Sequence, residues 1–447
     1  MEVSTNHFLK FVPFSKFDLW DTKRYTYQNE MNFDNVVRLS EILIPYKKSV
    51  SKEEIIKNNY QIIAKINFGG ELFLREKSEI ETYKGGLFLV PSNSIIYSKI
   101  NVRHGCIYFN DENSMPFGVS SEYPVFTFDP TRVNGYFLQK LLRTDAFKKL
   151  LNTKSTGISK ARVKQDEFLD IQIPLPTLQE QQEIVEAYFS KINEANQLEL
   201  EANNIDQEIE MYFLNQLGLK ELNFKEKVKG LLTVDFKDLD RWDYFSGDYS
   251  VISQLKSSNY SLFKLGDIYS FAKRSFNKKT YSLATFKYIE IGAIDPTKGI
   301  LEAKEIKTEK APSRATQIVK KGDLILGLTR PYLKKFALVT QEYDDNICSS
   351  GFSVIEETKD YYLTFLLQFL KCSYGIEQLK NRMTGGLYPA ITEGELKEIK
   401  IPLPDIDKQI EIMNSVNIKV NEIVNNKVVI EELKHQANEE FEKAIFQ

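Results

Sequence analysis

Residues 171–185 read IQIPLPTLQEQQEIV, and residues 399–413 read IKIPLPDIDKQIEIM. The two stretches align without a gap at an offset of 228, with eight of fifteen positions identical. An internal repeat sets the number and size of the folding units before any element is assigned, so it constrains this chain more than any other feature. Two upstream landmarks repeat in the same order: VPFSKFDLWD (Val12 to Asp21) with VDFKDLDRWD (Val234 to Asp243) at 222, and VRLSEI (Val37 to Ile42) with FKLGDI (Phe263 to Ile268) at 226. The offset drifts by only a few residues, so the repeating unit is a whole module of about 225 residues, not a short solenoid repeat.

Each copy of the phrase introduces a long helical pattern. After Pro176, apolar or small residues fall at Val185, Tyr188, Ile192, Ala195, Leu198, Ala202, Ile205, Ile209 and Tyr212. After Pro404 they fall at Met413, Val416, Val420, Ile423, Ile430, Leu433, Ala437, Phe441 and Ala444, with Lys427 interrupting the seam. Spacings of three and four place each set on one helix face, and about 40 residues at ~1.5 Å rise gives rods of ~60 Å. Proline fixes φ and is tolerated only in a helix's first turn, so Pro-Leu-Pro predicts an extended entry and a clean helix start. Thr177 and Glu180 match a capping box, and Asp405 is an N-cap candidate whose box is incomplete because Lys408 stands at the acidic position. Two helices of matched length in one chain can pair antiparallel with each other.

The formal net charge is −3, but it is unevenly spread. Residues 177–219 carry −8 and residues 405–447 carry −4, which leaves +9 on the remainder. The helices are acidic and the globular parts basic, so the small net charge no longer argues against nucleic-acid binding by the body of the chain. Each unit opens with short strand-like runs, such as SIIYSKI and DLILGL, and closes with a helix, over Pro130 to Leu151 and Tyr361 to Leu379. Mixed α/β units on short twisted sheets follow.

Basic residues interleaved with aromatic and hydroxyl residues mark candidate DNA contacts. In the first unit these are Ser98, Lys99, Asn101, Arg103 and His104, and in the loop before the phrase Lys154, Thr156, Lys160 and Arg162. In the second they are Lys273, Arg274, Lys278 and Lys279, then Thr329, Arg330, Tyr332, Lys334 and Lys335, then Arg382, Thr384 and Tyr388. For any single one of them a solvated charged surface is the more ordinary reading, and in the loops before the phrase plain turn chemistry serves equally well.

Catalytic and metal chemistry find little support. The chain has no Asn/Asp-Pro-Pro-aromatic tetrapeptide and no G-x-x-x-x-G-K-[ST]. Asp295, Glu302 and Lys304 superficially resemble a nuclease site, at a spacing that chance produces in a chain with 27% charged residues. Cys106, Cys348 and Cys372 are scattered, none near His7, His104 or His435, so they read as small buried hydrophobes. No catalytic residue, metal or cofactor is expected. The longest apolar stretch, from Tyr361, is far short of a membrane span and no signal-peptide segment opens the chain, so a cytoplasmic address is expected.

IPLPTLQEQ (Ile173 to Gln181), IPLPDIDKQ (Ile401 to Gln409), YIEIGAIDPTKGIL (Tyr288 to Leu301) and KKGDLILGLTRPY (Lys320 to Tyr332) together resemble the specificity subunits of Type I restriction-modification systems. The resemblance covers essentially the whole chain. It departs at LVPSNSIIYSKI, where the family more often has Gly-Asp before the strand, and at Lys408. It implies an α+β fold: two duplicated α/β target-recognition domains separated by a two-helix antiparallel coiled coil. The domains would be 1–172 and 220–400, and the helices 173–219 and 401–447. It further implies a non-catalytic subunit in which each domain reads half of a bipartite double-stranded DNA target and the helices set the spacer. Its partners would be two adenine-N6 DNA methyltransferase subunits and an ATP-dependent restriction subunit. The alternative is a coiled-coil assembly scaffold whose α/β domains bind protein; a DNA-cutting enzyme is a third reading.

Overall fold

A computed structural model describes residues 35–154, 162–222, 251–359 and 362–446, the side chains of 152–154 excepted. The first upstream landmark, at 12–21 and 234–243, lies outside them. The chain divides into two compact units, one of Met1–Ala195 with Glu431–Gln447, the other of Asn196–Ile430.

In the first unit the strands are β1 (Val36–Arg38), β2 (Ile44–Pro45), β3 (Ser49–Val50), β4 (Ile63–Ile66), β5 (Leu72–Leu74), β6 (Leu87–Val90), β7 (Ser94–Tyr97), β8 (Ile107–Asn110), β9 (Phe117–Val119), β10 (Val125–Thr127) and β11 (Gln172–Pro174). They form small sheets in the orders β2-β10-β7-β8, β3-β6-β9, β4-β5 and β1-β11. Helices α1 (Gly135–Leu141) and α2 (Asp145–Lys154) close the unit, and α3 (Leu178–Gln216) begins in it.

In the second unit the strands are β12 (Leu262–Lys264), β13 (Thr285–Ile289), β14 (Ile294–Asp295), β15 (Gly299–Ile300), β16 (Lys304–Lys307), β17 (Ala315–Ile318), β18 (Leu324–Gly327), β19 (Phe336–Leu338), β20 (Ile347–Ser349), β21 (Phe352–Ile355) and β22 (Lys400–Pro402). The orders are β16-β13-β20-β17, β19-β18-β21, β14-β15 and β12-β22. Helices α4 (Leu363–Lys371) and α5 (Ser373–Asn381) close this unit, and α6 (Ile406–Phe446) begins in it.

The repeated phrase becomes the same structure twice. Its Ile-x-Ile-Pro forms β11 and β22, which pair antiparallel with β1 and β12, the second upstream landmark, in matching register: Val37 faces Ile173, and Phe263 faces Ile401. Alternate strand residues share a face, so Ile171 with Ile173, and Ile399 with Ile401, are all buried. One bond beyond each strand pair is also repeated, from Leu39 N–H to Ile171 O and from Leu265 N–H to Ile399 O, both 2.9 Å. Even the flanking ion pairs correspond, Arg38 with Asp170 and Lys264 with Glu398.

The helix starts follow the expected chemistry. The Thr177 amide donates to Glu180 Oε2 at 2.8 Å and the Glu180 amide to Thr177 Oγ1 at 3.3 Å, a reciprocal capping box. At the second start Asp405 Oδ1 accepts the Lys408 amide at 2.9 Å, and the Lys408 ammonium turns to Glu411. The glutamine present in both copies then locks the junction. Gln181, fully buried, accepts from the Asn134 amide at 2.8 Å and donates to the Arg132 and Pro176 carbonyls. Gln409 accepts from the Tyr362 amide at 3.1 Å and donates to the Pro404 carbonyl at 2.8 Å. Asn134 and Tyr362 are the N-caps of α1 and α4, so each glutamine ties the closing helices to the long one.

The closing element is two helices in each unit, where one was expected. Thr144 ends the first by donating to Leu141 O and starts the second by accepting the Phe147 amide. Cys372 breaks the second pair with an extended ψ of 167°. Gly375 follows because a Cβ there would stand 2.2 Å from the Phe369 carbonyl.

Each long helix contributes to both units. In the first, α3 packs beside residues 431–446 of α6: Phe441 meets Phe137 at 5.9 Å and Tyr188 at 5.9 Å, and Lys191 pairs with Glu440. In the second, residues 196–216 of α3 pack beside the start of α6: Phe213 meets Phe365 at 5.3 Å, and Lys419 pairs with Glu208. Phe441 and Phe213 occupy equivalent places, as do the Asp145 amide donating to Glu442 and the Ser373 amide donating to Glu210. No helix among the described residues is long and apolar enough to cross a membrane.

Candidate nucleic-acid interface

In each unit a hairpin carries the candidate residues on its connecting loop. The first is β7 and β8, joined through a single 3-10 turn at Val102–His104; the second is β18 and β19, joined through one at Pro331–Leu333. The loop preceding the repeated phrase docks on each hairpin by the same bond, Val163 N–H to Lys99 O and Ile391 N–H to Leu328 O, both 3.0 Å. In the second unit the two clusters that the sequence singled out therefore meet; in the first, Arg162 beside Val163 is the described member of its cluster that reaches the hairpin.

In the second unit the docking is detailed. Thr329 bridges to Ala390, which also bridges to Thr384. Arg330 has a left-handed backbone (φ 49°, ψ 56°), a conformation unfavourable for any residue with a Cβ but one that lets its amide donate to Pro389 O at 2.8 Å. Its guanidinium donates to Leu387 O at 3.1 Å and lies 4.7 Å from the Tyr388 ring centroid. Tyr332 is exposed, and Thr384 lies open at the loop.

Other candidates stand elsewhere. Lys334, also left-handed, lines a cavity of about 170 Å³ with Asp206, Glu210, Lys371 and Lys427. Lys371 donates to Pro296 O at 2.6 Å and Lys427 to Thr297 Oγ1 at 2.7 Å, which gives the seam-interrupting lysine a polar partner. Burial, then the neighbouring Lys334, pushes the Lys371 ammonium down to about 8. Arg382 is held by Glu395 at 2.7 Å. Arg274 donates to Asp323 at 2.5 Å and pairs with Glu356 at 3.5 Å. Asp323 also accepts the Lys320 amide at 2.7 Å, and burial holds its carboxyl above the usual range. Asp323 precedes the Leu324 end of β18 and Arg330 follows the Gly327 end, so Lys273 and Arg274 lie at the opposite end of the strand from the Arg330 loop. Lys278 is exposed beyond Phe276, whose amide bonds to Thr316.

In the first unit Ser98 is buried, and its carbonyl accepts the Asn101 and Val102 amides. Lys99 reaches Ser121 O at 2.7 Å, and Arg162 pairs with Glu122 at 3.2 Å. Asn101 caps the 3-10 turn, and Arg103 donates to His104 at 3.2 Å. Lys154 ends α2, and Thr156 and Lys160 lie outside the described residues. The sequence reading missed Phe68, exposed at the tip of the β4-β5 hairpin with its ring tilted against that of His104, centroids 4.9 Å apart. Arg143 braces that tip by donating to the Gly69 and Gly105 carbonyls. The Asn-Phe-Gly-Gly run at 67–70 was the available signal.

Asp295 is explained by its turn, its Oδ1 accepting the Thr297 and Lys298 amides at 2.8 and 2.7 Å. All three cysteines are buried and free. The departure at LVPSNSIIYSKI leaves the backbone unchanged: Asn93 (φ 57°) takes the left-handed place of Gly322 (φ 88°), and Ser94 the buried place of Asp323.

The profile of the Type I restriction modification DNA specificity domain matches twice, at residues 33–231 and 257–443. The chain belongs to this family. It is 24% identical over 192 residues to the Type I restriction enzyme HindI specificity subunit of Haemophilus influenzae, an alignment spanning 42% of this chain and 40% of that protein. It superposes with a TM-score of 0.52 at 15% identity on a chain from a structural study of assembly and conformational transition in the type I R-M system, covering 92% of this chain and 98% of that one. The S subunit of a Type I system from M. genitalium matches at a TM-score of 0.49 and 15% identity, covering 94% and 98%. The likeness to the first of these structures supports the mixed helix and sheet fold, with two family repeats and a long helix between them.

Proposed function

We propose that this chain is the non-catalytic, sequence-specific DNA-binding subunit of a Type I restriction-modification complex. Each recognition domain, taken as 1–172 and 220–400, reads one half of a bipartite duplex target. The long helices, within 173–219 and 401–447, set the unread spacer and dock two adenine-N6 methyltransferase subunits, with an ATP-dependent restriction subunit as a further partner. The observation that carries this reading is the repetition of one geometry in both units. A hairpin loop bearing basic and aromatic residues is docked on the loop that leads into the phrase, and a glutamine ties that phrase to a long helix.

Base contacts are assigned to the hairpin loops, through Asn101 and Arg103 in the first unit and Thr329, Arg330 and Tyr332 in the second, and to Thr384 and Tyr388 of the loop docked on the latter. Lys99, Lys154, Thr156, Lys160, Arg162, Lys273, Lys278 and Lys334 are assigned to phosphates, where a flexible ammonium suffices. Ser98, Arg274 and Arg382 support these surfaces from within, since their polar groups are buried or already paired. Mapping N6-methyladenine in the host genome with and without the chain tests the proposal. Loss of a single bipartite motif is the expected result, and an unchanged methylation pattern refutes it. A protein-binding scaffold would show no steep salt dependence towards a specific duplex.

A further inference from the structure

The loop that follows α5 ends in an apolar tip. Leu387 is 80% exposed and Tyr388 beside it 66%. An open leucine on a loose loop would mean little, but this loop is fixed on both sides. Thr384 and Ala390 exchange two main-chain bonds of 2.9 Å, and Arg330 holds the loop through the Pro389 and Leu387 carbonyls and the Tyr388 ring. Gly385 turns the chain at a φ of +98°, which favours glycine, and the space beside Gly386 is open. The Nε–H of Arg330 is buried without an acceptor, so a cation sits directly behind the apolar tip.

On the reading that the chain binds a specific duplex, we propose that Leu387 makes an apolar contact with a base in the half-site read by the second unit. Arg330 and Tyr388, besides the base contacts assigned to them above, position it through the Leu387 carbonyl and the ring contact. A duplex offers two apolar surfaces to such a probe, the C5-methyl group of thymine in the major groove and the face of a base at an opened step. DNA is the occupant because the tip is continuous with the hairpin that carries Thr329 and Arg330, and because an apolar group backed by a cation suits a base flanked by phosphates.

The test uses the full chain assembled with its methyltransferase subunits, as wild type, Leu387→Ala and Leu387→Met. N6-methyladenine mapping identifies the target, and binding is then measured on a duplex carrying it. Wild type and Leu387→Met recognise the same motif. Leu387→Ala relaxes one or two adjacent positions of one half-site, with a loss there of roughly 5- to 30-fold, as expected for removing a few buried methyl contacts. Replacing thymines by uracil one at a time weakens wild type but not Leu387→Ala if the contact is a methyl group. A 2-aminopurine probe brightens with wild type alone if the contact is a base face. The proposal is overturned if Leu387→Ala keeps motif and affinity, if it alters both half-sites, or if neither probe separates it from wild type. A wild-type complex with no bipartite motif removes the DNA reading itself, a different failure from a motif that ignores Leu387.

Discussion

Gln181 and Gln409 occupy equivalent positions in the repeated phrase and are both buried, each accepting the backbone amide at the N-cap of the closing helices. Gln409→Ala leaves the Tyr362 amide without an acceptor in the interior, and should cost about 1–3 kcal/mol, measured by urea denaturation. An exposed glutamine on the other long helix, Gln207 of α3, should cost under ~0.5 kcal/mol when replaced by alanine. Arg274 and Asp323 make a different prediction. Burial raises the Asp323 carboxyl, so the folded state binds its proton more tightly than the unfolded chain does. Its contribution is therefore most favourable below the unfolded value and declines as pH rises through the folded one. Arg274→Ala removes the compensating cation and should cost about 3–5 kcal/mol at pH 8, with a smaller loss at pH 5 and rescue by Asp323→Asn. Equal losses at both pH values would exclude the mechanism. Neither role could be read from sequence. The identity of the glutamines was plain, but their partners lie 47 residues away in both units. Arg274 looked like any other basic residue, because nothing local announces that Asp323 is buried beside it.

At the level of elements, the long helices were the most legible part of the chain. Their bounds follow from proline, which cannot continue a helix backwards, and their inward faces from the three-four spacing, as Ala202, Ile209, Val416 and Ile423 are buried together. The division of each closing helix was not legible, because Thr144 and Cys372 act by hydrogen bonding and backbone conformation, not by breaking the apolar periodicity. The strands were legible in kind at SIIYSKI and DLILGL, but their pairing across sheets was not, since short strands carry little register information. Phe441 and Phe213 give the helices their energetic test. Each buries a ring in the core of one unit, so Phe441→Ala should destabilise by about 3–5 kcal/mol. Hydrogen exchange should locate the loss in β7, β8 and α1, whereas Phe213→Ala should loosen α4 and α5.

For the whole molecule, the proposed function predicts that specificity is divisible between the two repeats. Replacing residues 1–170 by the matching segment of a relative with a different target should change one half-site of the methylated motif and leave the other intact, as read by methylation mapping. A change in both halves would contradict independent reading. The first compact unit also has a consequence for synthesis. It takes in residues 431–447, and Phe441 sits against Phe137 in its core. A chain emerging from the ribosome thus presents its first domain unfinished, with the apolar face of α1 waiting for a segment about 300 residues behind it. The second unit draws on residues already made when its own end appears, so the domain encoded second is the one that can close first.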